Sequence, residues 1–145
     1  MVVRAEAIQV RLQRLEEVIS ELERLGDLDL ETLRVNVSQR WAVERGLQLG
    51  AEILFDIGNH ILSAHFGVSP EDYGDIVRQL ANRGVIGEEL RNRLSGLSGF
   101  RNILVHDYMR LDPDKVFEAL GRAPVDFSDL ARAVRVWLAS LDKAQ

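Results

Sequence analysis

The sequence predicts an all-α protein, an up-and-down antiparallel helical bundle of about five to six helices, and three observations carry that reading. Apolar residues recur three and four positions apart, as in Ile8, Leu12, Leu15, Ile19 and Leu22. No segment has the strict alternation or the Gly-punctuated β-branched runs that strands require. The links between periodic segments are short and carry helix start and stop chemistry, and short links favour antiparallel neighbours.

Residues 3–25 form the first expected helix, with Gly26 as its stop. Residues 29–66 read as a second, longer helix, with room for a short first piece at 29–34. Its apolar arc is Leu47, Leu54, Ile57 and Ile61, and Gly67 follows its end. In "SPED" (69–72), Ser69 can cap, Pro70 suits the first helical position, and Glu71 and Asp72 favour the positive end of the dipole. A third helix therefore starts there and runs to about Gly84. A fourth begins near Gly87 and carries Leu90, Leu94, Leu97, Phe100, Ile103 and Leu104. "DPDK" (112–115) repeats the cap-then-proline signal and opens a short fifth helix ending near Gly121. After Pro124, Asp126 can cap a last helix with Phe127, Leu130, Val134, Trp137 and Leu141 on one face.

A chain of 145 residues fits one domain over 1–145, long enough to bury a core without staples. The absence of Cys excludes disulfides and thiolate chemistry and suits a reducing compartment, so a cytoplasmic protein is expected. No leader-like segment opens the chain, and no apolar run approaches the ~20 residues of a membrane span, so no membrane partner is expected. The balance of 18 basic against 23 acidic residues, net −5, argues against a broad nucleic-acid footprint, and any such contact must be local.

One stretch does not fit a bland bundle. In "GFRNILVHDYM" (99–109), Arg101, Asn102, His106 and Tyr108 interrupt an otherwise apolar helix. Asn102 and His106 are four apart on one face, with Arg101 on its flank, so the three can converge on one ligand. A guanidinium offers paired donors to a phosphate, and an imidazole exchanges protons near neutral pH. Cleavage of RNA through its own 2′-hydroxyl needs both. The structural alternative pairs Arg101 with Asp107 or Glu88 and leaves His106 as an ordinary helix-end histidine. The second helix adds a polar stripe of Glu44, Gln48, Glu52, Asp56, Asn59 and Ser63, with His60 at its edge. Its bland reading is a solvated face. Yet Asp56, Asn59 and His60 lie in the apolar "DIGNHIL", where polar groups need partners that a facing helix could supply.

Other chemistries are poorly supported. His60 and His65 lie about 140° apart around a helix, which does not make a zinc pair. No Gly-rich loop follows a strand, and Ser95 and Ser98 beside Gly96 and Gly99 form no nucleophile elbow. Those glycines read instead as points of close helix packing, at about 1 kcal/mol each in helix propensity.

"RNILVHDY" (101–108) matches the R-x4-H-x-Y signature of HEPN domains of the HepT-like ribonuclease toxins, and "RWAVERGLQLGAEILFDIGNHIL" (40–62) resembles their long second helix. The resemblance extends through "SPEDYGDIV" (69–77) and over nearly the whole chain. It implies an all-helical homodimer acting as a metal-independent endoribonuclease without a cofactor, the toxin of a type VII HEPN/MNT toxin–antitoxin pair. Carried over by residue, His106 is the acid/base, Arg101 stabilises the charged phosphorane-like state, and Asn102 orients phosphate or imidazole. The polar position of helix two maps to Asp56, with Asn59 and His60 in support. Tyr108 is the motif tyrosine to which an MNT-type nucleotidyltransferase antitoxin attaches AMP, as an off switch. The RNA target, tRNA or mRNA, stays open. Arg78, Arg83, Arg91 and Arg93 are candidates for the cleft rim.

Two rivals remain. A non-catalytic HEPN subunit, binding nucleotide or serving a nucleotidyltransferase, would need Arg101 and not the proton chemistry of His106. A purely structural helical dimer would need neither.

Overall fold

The computed structural model describes residues 4–143, which form helices joined by short links, with no strand among them. The elements are α1 (Ala5–Leu25), α2 (Leu30–Val35), α3 (Val37–Phe66), α4 (Tyr73–Asn82), α5 (Glu88–Leu94), α6 (Leu97–His106), a 3-10 turn (Tyr108–Arg110) and α7 (Pro113–Lys143).

The long helices α1, α3 and α7 pack on one another around the core. In α1 the expected stripe of Ile8, Leu12, Leu15, Ile19 and Leu22 is buried, with Leu25. Arg11 meets Asp56 while Leu22 abuts Gly46, so α1 runs antiparallel to α3. Gly50 faces Phe127 and His65 faces Trp137, so α7 runs beside α3 in the same direction and antiparallel to α1. The excursion through α4, α5 and α6 makes that parallel return possible. Every buried side chain among the described residues is apolar. A methyl group at Gly50 would overlap the Phe127 ring, and one at Gly58 would stand 2.5 Å from Ile76 Cγ2. Those two glycines let α7 and α4 approach the long helix.

Capping fixes the joints. Asp29 caps α2 by accepting from the Thr32 N–H at 2.8 Å, and Asn36 caps α3 by accepting from the Gln39 N–H at 3.0 Å. The short piece expected before the long helix is therefore a separate helix. Gly67 closes α3 in the left-handed conformation (φ 66°), its N–H donating to the Leu62 carbonyl.

Three boundaries differ from expectation. Helix α4 starts at Tyr73, capped by Asp72 (2.7 Å from the Asp75 N–H), not at Pro70. Residues 67–72 must run back along α3 until Tyr73 reaches Phe55. An extended chain covers ~3.3 Å per residue against 1.5 Å in a helix, so the cap moves to the end of the return. The fourth helix breaks at Ser95–Gly96 into α5, which packs on α4 and α7, and α6, which packs on α3 and α4. No break occurs at Gly121–Pro124, and α7 carries Pro124 inside it. Interior proline costs about 3 kcal/mol. Val116, Leu120 and Ala123 before it and Phe127, Leu130 and Val134 after it form one buried stripe, at about 1.5–3 kcal/mol per large side chain, which outweighs that cost. Pro113 does occupy the first helical position, as "DPDK" predicts. No helix among the described residues is long and apolar enough to cross a membrane.

Candidate functional site

Helix α6 is apolar in sequence, yet none of its residues is buried. Leu97, Phe100 and Leu104 rest partly on the core, Ser98, Arg101, Ile103 and Val105 are half-buried, and Gly99, Asn102 and His106 are exposed. Where α6 lies against α3 and the start of α4, a cleft of about 650 Å³ opens. Glu52, Phe55, Asp56 and Asn59 enter it from α3, Asp72 and Tyr73 from the start of α4, and Arg101 and Asn102 from α6.

Arg101 is the centre of the arrangement. Its Nη2 donates to Glu52 Oε1 at 3.3 Å and its Nη1 to Asn102 Oδ1 at 3.2 Å. Its Cζ lies 4.7 Å from the centre of the Tyr73 ring, a cation–π contact. Tyr73 in turn stacks on Phe55 at 4.7 Å with the planes 19° apart. The side chain is only 14% exposed, and its Nε is buried without a partner. A guanidinium held this way has lost much of its water and keeps unused N–H capacity, the condition in which a cation interacts strongly with an incoming anion.

The partners offered by the structural alternative are engaged elsewhere. Asp107 takes Arg110 at 3.4 Å, and Glu88 takes Arg91 at 3.0 Å. Asp56 lines the cleft, but its ion pair is with Arg11 at 2.6 Å, and Glu52, one turn away, is what reaches Arg101. Spacing alone put both carboxylates on one stripe; the registry of α6 on α3 separates them. Tyr73 carried no sequence signal, because the return of the chain along α3 is what brings it under Arg101. Asn59 lines the cleft and its side chain has no hydrogen bond within the described chain. His60 lies off the cleft, half-buried, with Nε2 unpartnered.

His106 ends α6, exposed and off the cleft lining, five residues or about 7–8 Å along the axis from Arg101. Tyr108 follows in the 3-10 turn, 74% exposed. Of the rim candidates, Arg78 stays beside the cleft, 3.7 Å from the lining residue Asp72 and paired also with Asp75, whereas Arg93 pairs with Asp126 and Asp129, Arg91 with Glu88, and Arg83 lies over Phe66. Local acids hold Arg91 and Arg93 away from the cleft.

Gly96 and Gly99 do not serve packing within the chain: a Cβ at either would meet nothing within 4 Å. Gly99, Asn102 and His106, three and four apart, form an open stripe along α6.

Comparison with known proteins gives concordant results. The ribonuclease HepT-like family profile matches residues 15–135. A tRNA nuclease HepT from Aphanizomenon flos-aquae is 28% identical over 137 residues, 94% of this chain and 92% of its own. An mRNA nuclease HepT from Shewanella oneidensis is 32% identical over 89 residues, 61% of this chain and 67% of its own. Among solved structures, the tri-AMPylated Shewanella oneidensis HEPN toxin in complex with MNT antitoxin is similar with a TM-score of 0.82 at 24% identity, covering 92% of this chain and 99% of that one. At that identity the structural likeness speaks for the fold.

Proposed function

Since this chain belongs to the HepT-like ribonuclease family, we propose that it is the ribonuclease toxin of a type VII HEPN/MNT toxin–antitoxin pair, cleaving RNA in the cytoplasm without a metal ion. The observation that carries this is the state of Arg101: a cation withdrawn from water, aligned by Glu52, Asn102 and Tyr73, on the helix that ends in His106.

The chemistry follows from the residue types. A base removes the proton of the 2′-hydroxyl, whose oxygen attacks the adjacent phosphorus. The P–O5′ bond breaks, an acid protonates the departing 5′-oxygen, and a 2′,3′-cyclic phosphate remains. Arg101 stabilises the charge that grows on the non-bridging oxygens, Asn102 orients the phosphate, and His106 moves the proton. A single chain offers one such imidazole, and a second copy related by a twofold axis supplies another. The unburied apolar residues of α6 and its open Gly99 stripe favour that homodimer. Asp56 and Asn59 support the cleft, and His60 acts at most through α3.

Tyr108 is the residue on which we place control. Its hydroxyl-bearing ring is exposed two residues beyond His106, open to an MNT-type nucleotidyltransferase antitoxin. Attached AMP would add phosphate charge and a purine beside the site and so exclude RNA. The Shewanella toxin of similar fold is tri-AMPylated in its complex with MNT antitoxin.

The non-catalytic reading has one observation in its favour: His106 makes no hydrogen bond within the described chain, so nothing in a lone subunit fixes its tautomer. The test uses protein shown by intact mass to be unmodified at Tyr108, incubated with cellular RNA in excess chelator beside His106→Ala. Cleavage by the wild type alone, leaving 2′,3′-cyclic phosphate ends, establishes the nuclease. Equal cleavage by both assigns the activity to a contaminant or another site. No cleavage by either shifts the reading to a nucleotidyltransferase partner subunit, whose binding His106→Ala would leave intact.

A further inference from the structure

The cleft beside Arg101 has a polarity that phosphate binding does not explain. Of its charged side chains three are carboxylates, Glu52, Asp56 and Asp72, against the one guanidinium. Each carboxylate engages the protein through one oxygen and keeps the other without a partner among the described residues: Glu52 Oε1 takes Arg101 and Gln48, Asp56 Oδ2 takes Arg11, and Asp72 Oδ1 takes the Asp75 N–H and faces Arg78 at 3.7 Å. Among the described residues no group of acids and histidines gathers closely enough to hold a metal ion, so these oxygens are not a cation cage. They are hydrogen-bond acceptors around one space, accompanied by the Asn59 and Asn102 amides. A volume of about 650 Å³ lies within the usual range for small organic ligands, about 300–1,000 Å³.

We propose that this cleft seats the nucleobase next to the scissile phosphate and selects bases rich in N–H donors, guanine above all, over uracil. The inference rests on the ribonuclease reading and deepens it. Single-stranded RNA is read by splaying out a base and bonding its Watson–Crick edge. Guanine presents N1–H and the N2 amino group side by side, and adenine and cytosine one amino group each. Uracil offers one N–H between two carbonyl oxygens, which face the carboxylates unfavourably. The amide N–H groups of Asn59 and Asn102 are donors suited to guanine O6. The phosphate itself would sit at the Arg101 margin of the cleft, where the one lining cation is, Arg11 and Arg78 being held behind Asp56 and Asp72. A chain of net charge −5 thus handles RNA by reading a base with acceptors and confining cationic contact to one point.

DNA oligonucleotides carrying a single ribonucleotide confine cleavage to one bond, so the bases flanking it can be varied one at a time. At one of the two flanking positions, kcat/KM with guanine should exceed that with uracil by about tenfold or more. Asp72→Asn should reduce that ratio about threefold or more, while α4 survives because Asn caps as well as Asp. All-DNA versions, which lack the attacking hydroxyl, report base preference in Kd by fluorescence anisotropy. Cleavage without base preference overturns the base site and leaves the nuclease standing. Preference in binding with no cleavage supports the base site and overturns the nuclease. A change in the mass of the assembly in solution on Asp72→Asn, with base preference unaltered, makes the cleft a protein interface and overturns the assignment.

Discussion

Glu52 on α3 holds Arg101 on α6 at 3.3 Å, across 49 residues of chain, and this pair fixes where the guanidinium points. Glu52→Gln keeps an acceptor and should lower stability by no more than about 1 kcal/mol. Glu52→Leu leaves the guanidinium short of a partner and should cost about 1–3 kcal/mol in urea unfolding. Both should slow RNA cleavage, Leu by about tenfold or more, because alignment of the cation is lost.

Tyr73 acts through its ring. Tyr73→Phe preserves the stack on Phe55 and the face under Arg101, so cleavage should stay within about twofold of wild type. Tyr73→Leu removes both contacts and should cost about 1–2 kcal/mol of stability. A kcat that drops in Leu and not in Phe, with both proteins folded by circular dichroism, would establish the ring as the positioning element.

Two glycines should respond oppositely to alanine. Gly50→Ala drives a methyl group into Phe127 and should destabilise the fold by about 1–3 kcal/mol. Gly99→Ala meets open space, so helix propensity alone should stabilise the isolated chain by about 0.5–1 kcal/mol. If α6 stripes meet across a twofold axis, the same change should weaken the dimer, which static light scattering over a dilution series would read as a fall in mean mass.

Burial raises the Glu44 pKa above the ordinary carboxyl value of 4.5, with Arg40 at 3.6 Å pulling partly the other way. The folded state therefore binds this proton more tightly than the unfolded chain, and stability from Glu44 falls as pH rises from about 4.5 through the raised value. Glu44→Gln removes that dependence. Its stability relative to wild type should increase between pH 4 and pH 7, as read by urea unfolding at each pH. A difference that stays flat would mean that the Arg40 charge cancels the burial penalty.

Much of this protein is local and so was legible in the sequence. The stripe Ile8, Leu12, Leu15, Ile19 and Leu22 repeats at the helical period, and a period survives whatever it packs against. Gly67 and Pro113 stop and start helices through their own backbone preferences. "RNILVHDY" is contiguous, and the family it resembles is the one the chain belongs to. Tertiary structure decided what depends on competition between distant partners. Pro124 stays within a helix because one buried stripe continues on both sides of it. Glu52 rather than Asp56 holds Arg101, because Arg11 from α1 reaches Asp56 first. Tyr73 enters the site only because residues 67–72 run back along α3. Helical period assigns side chains to a face, whereas partner choice among groups one turn apart depends on the registry of neighbouring helices, and that registry is set by packing.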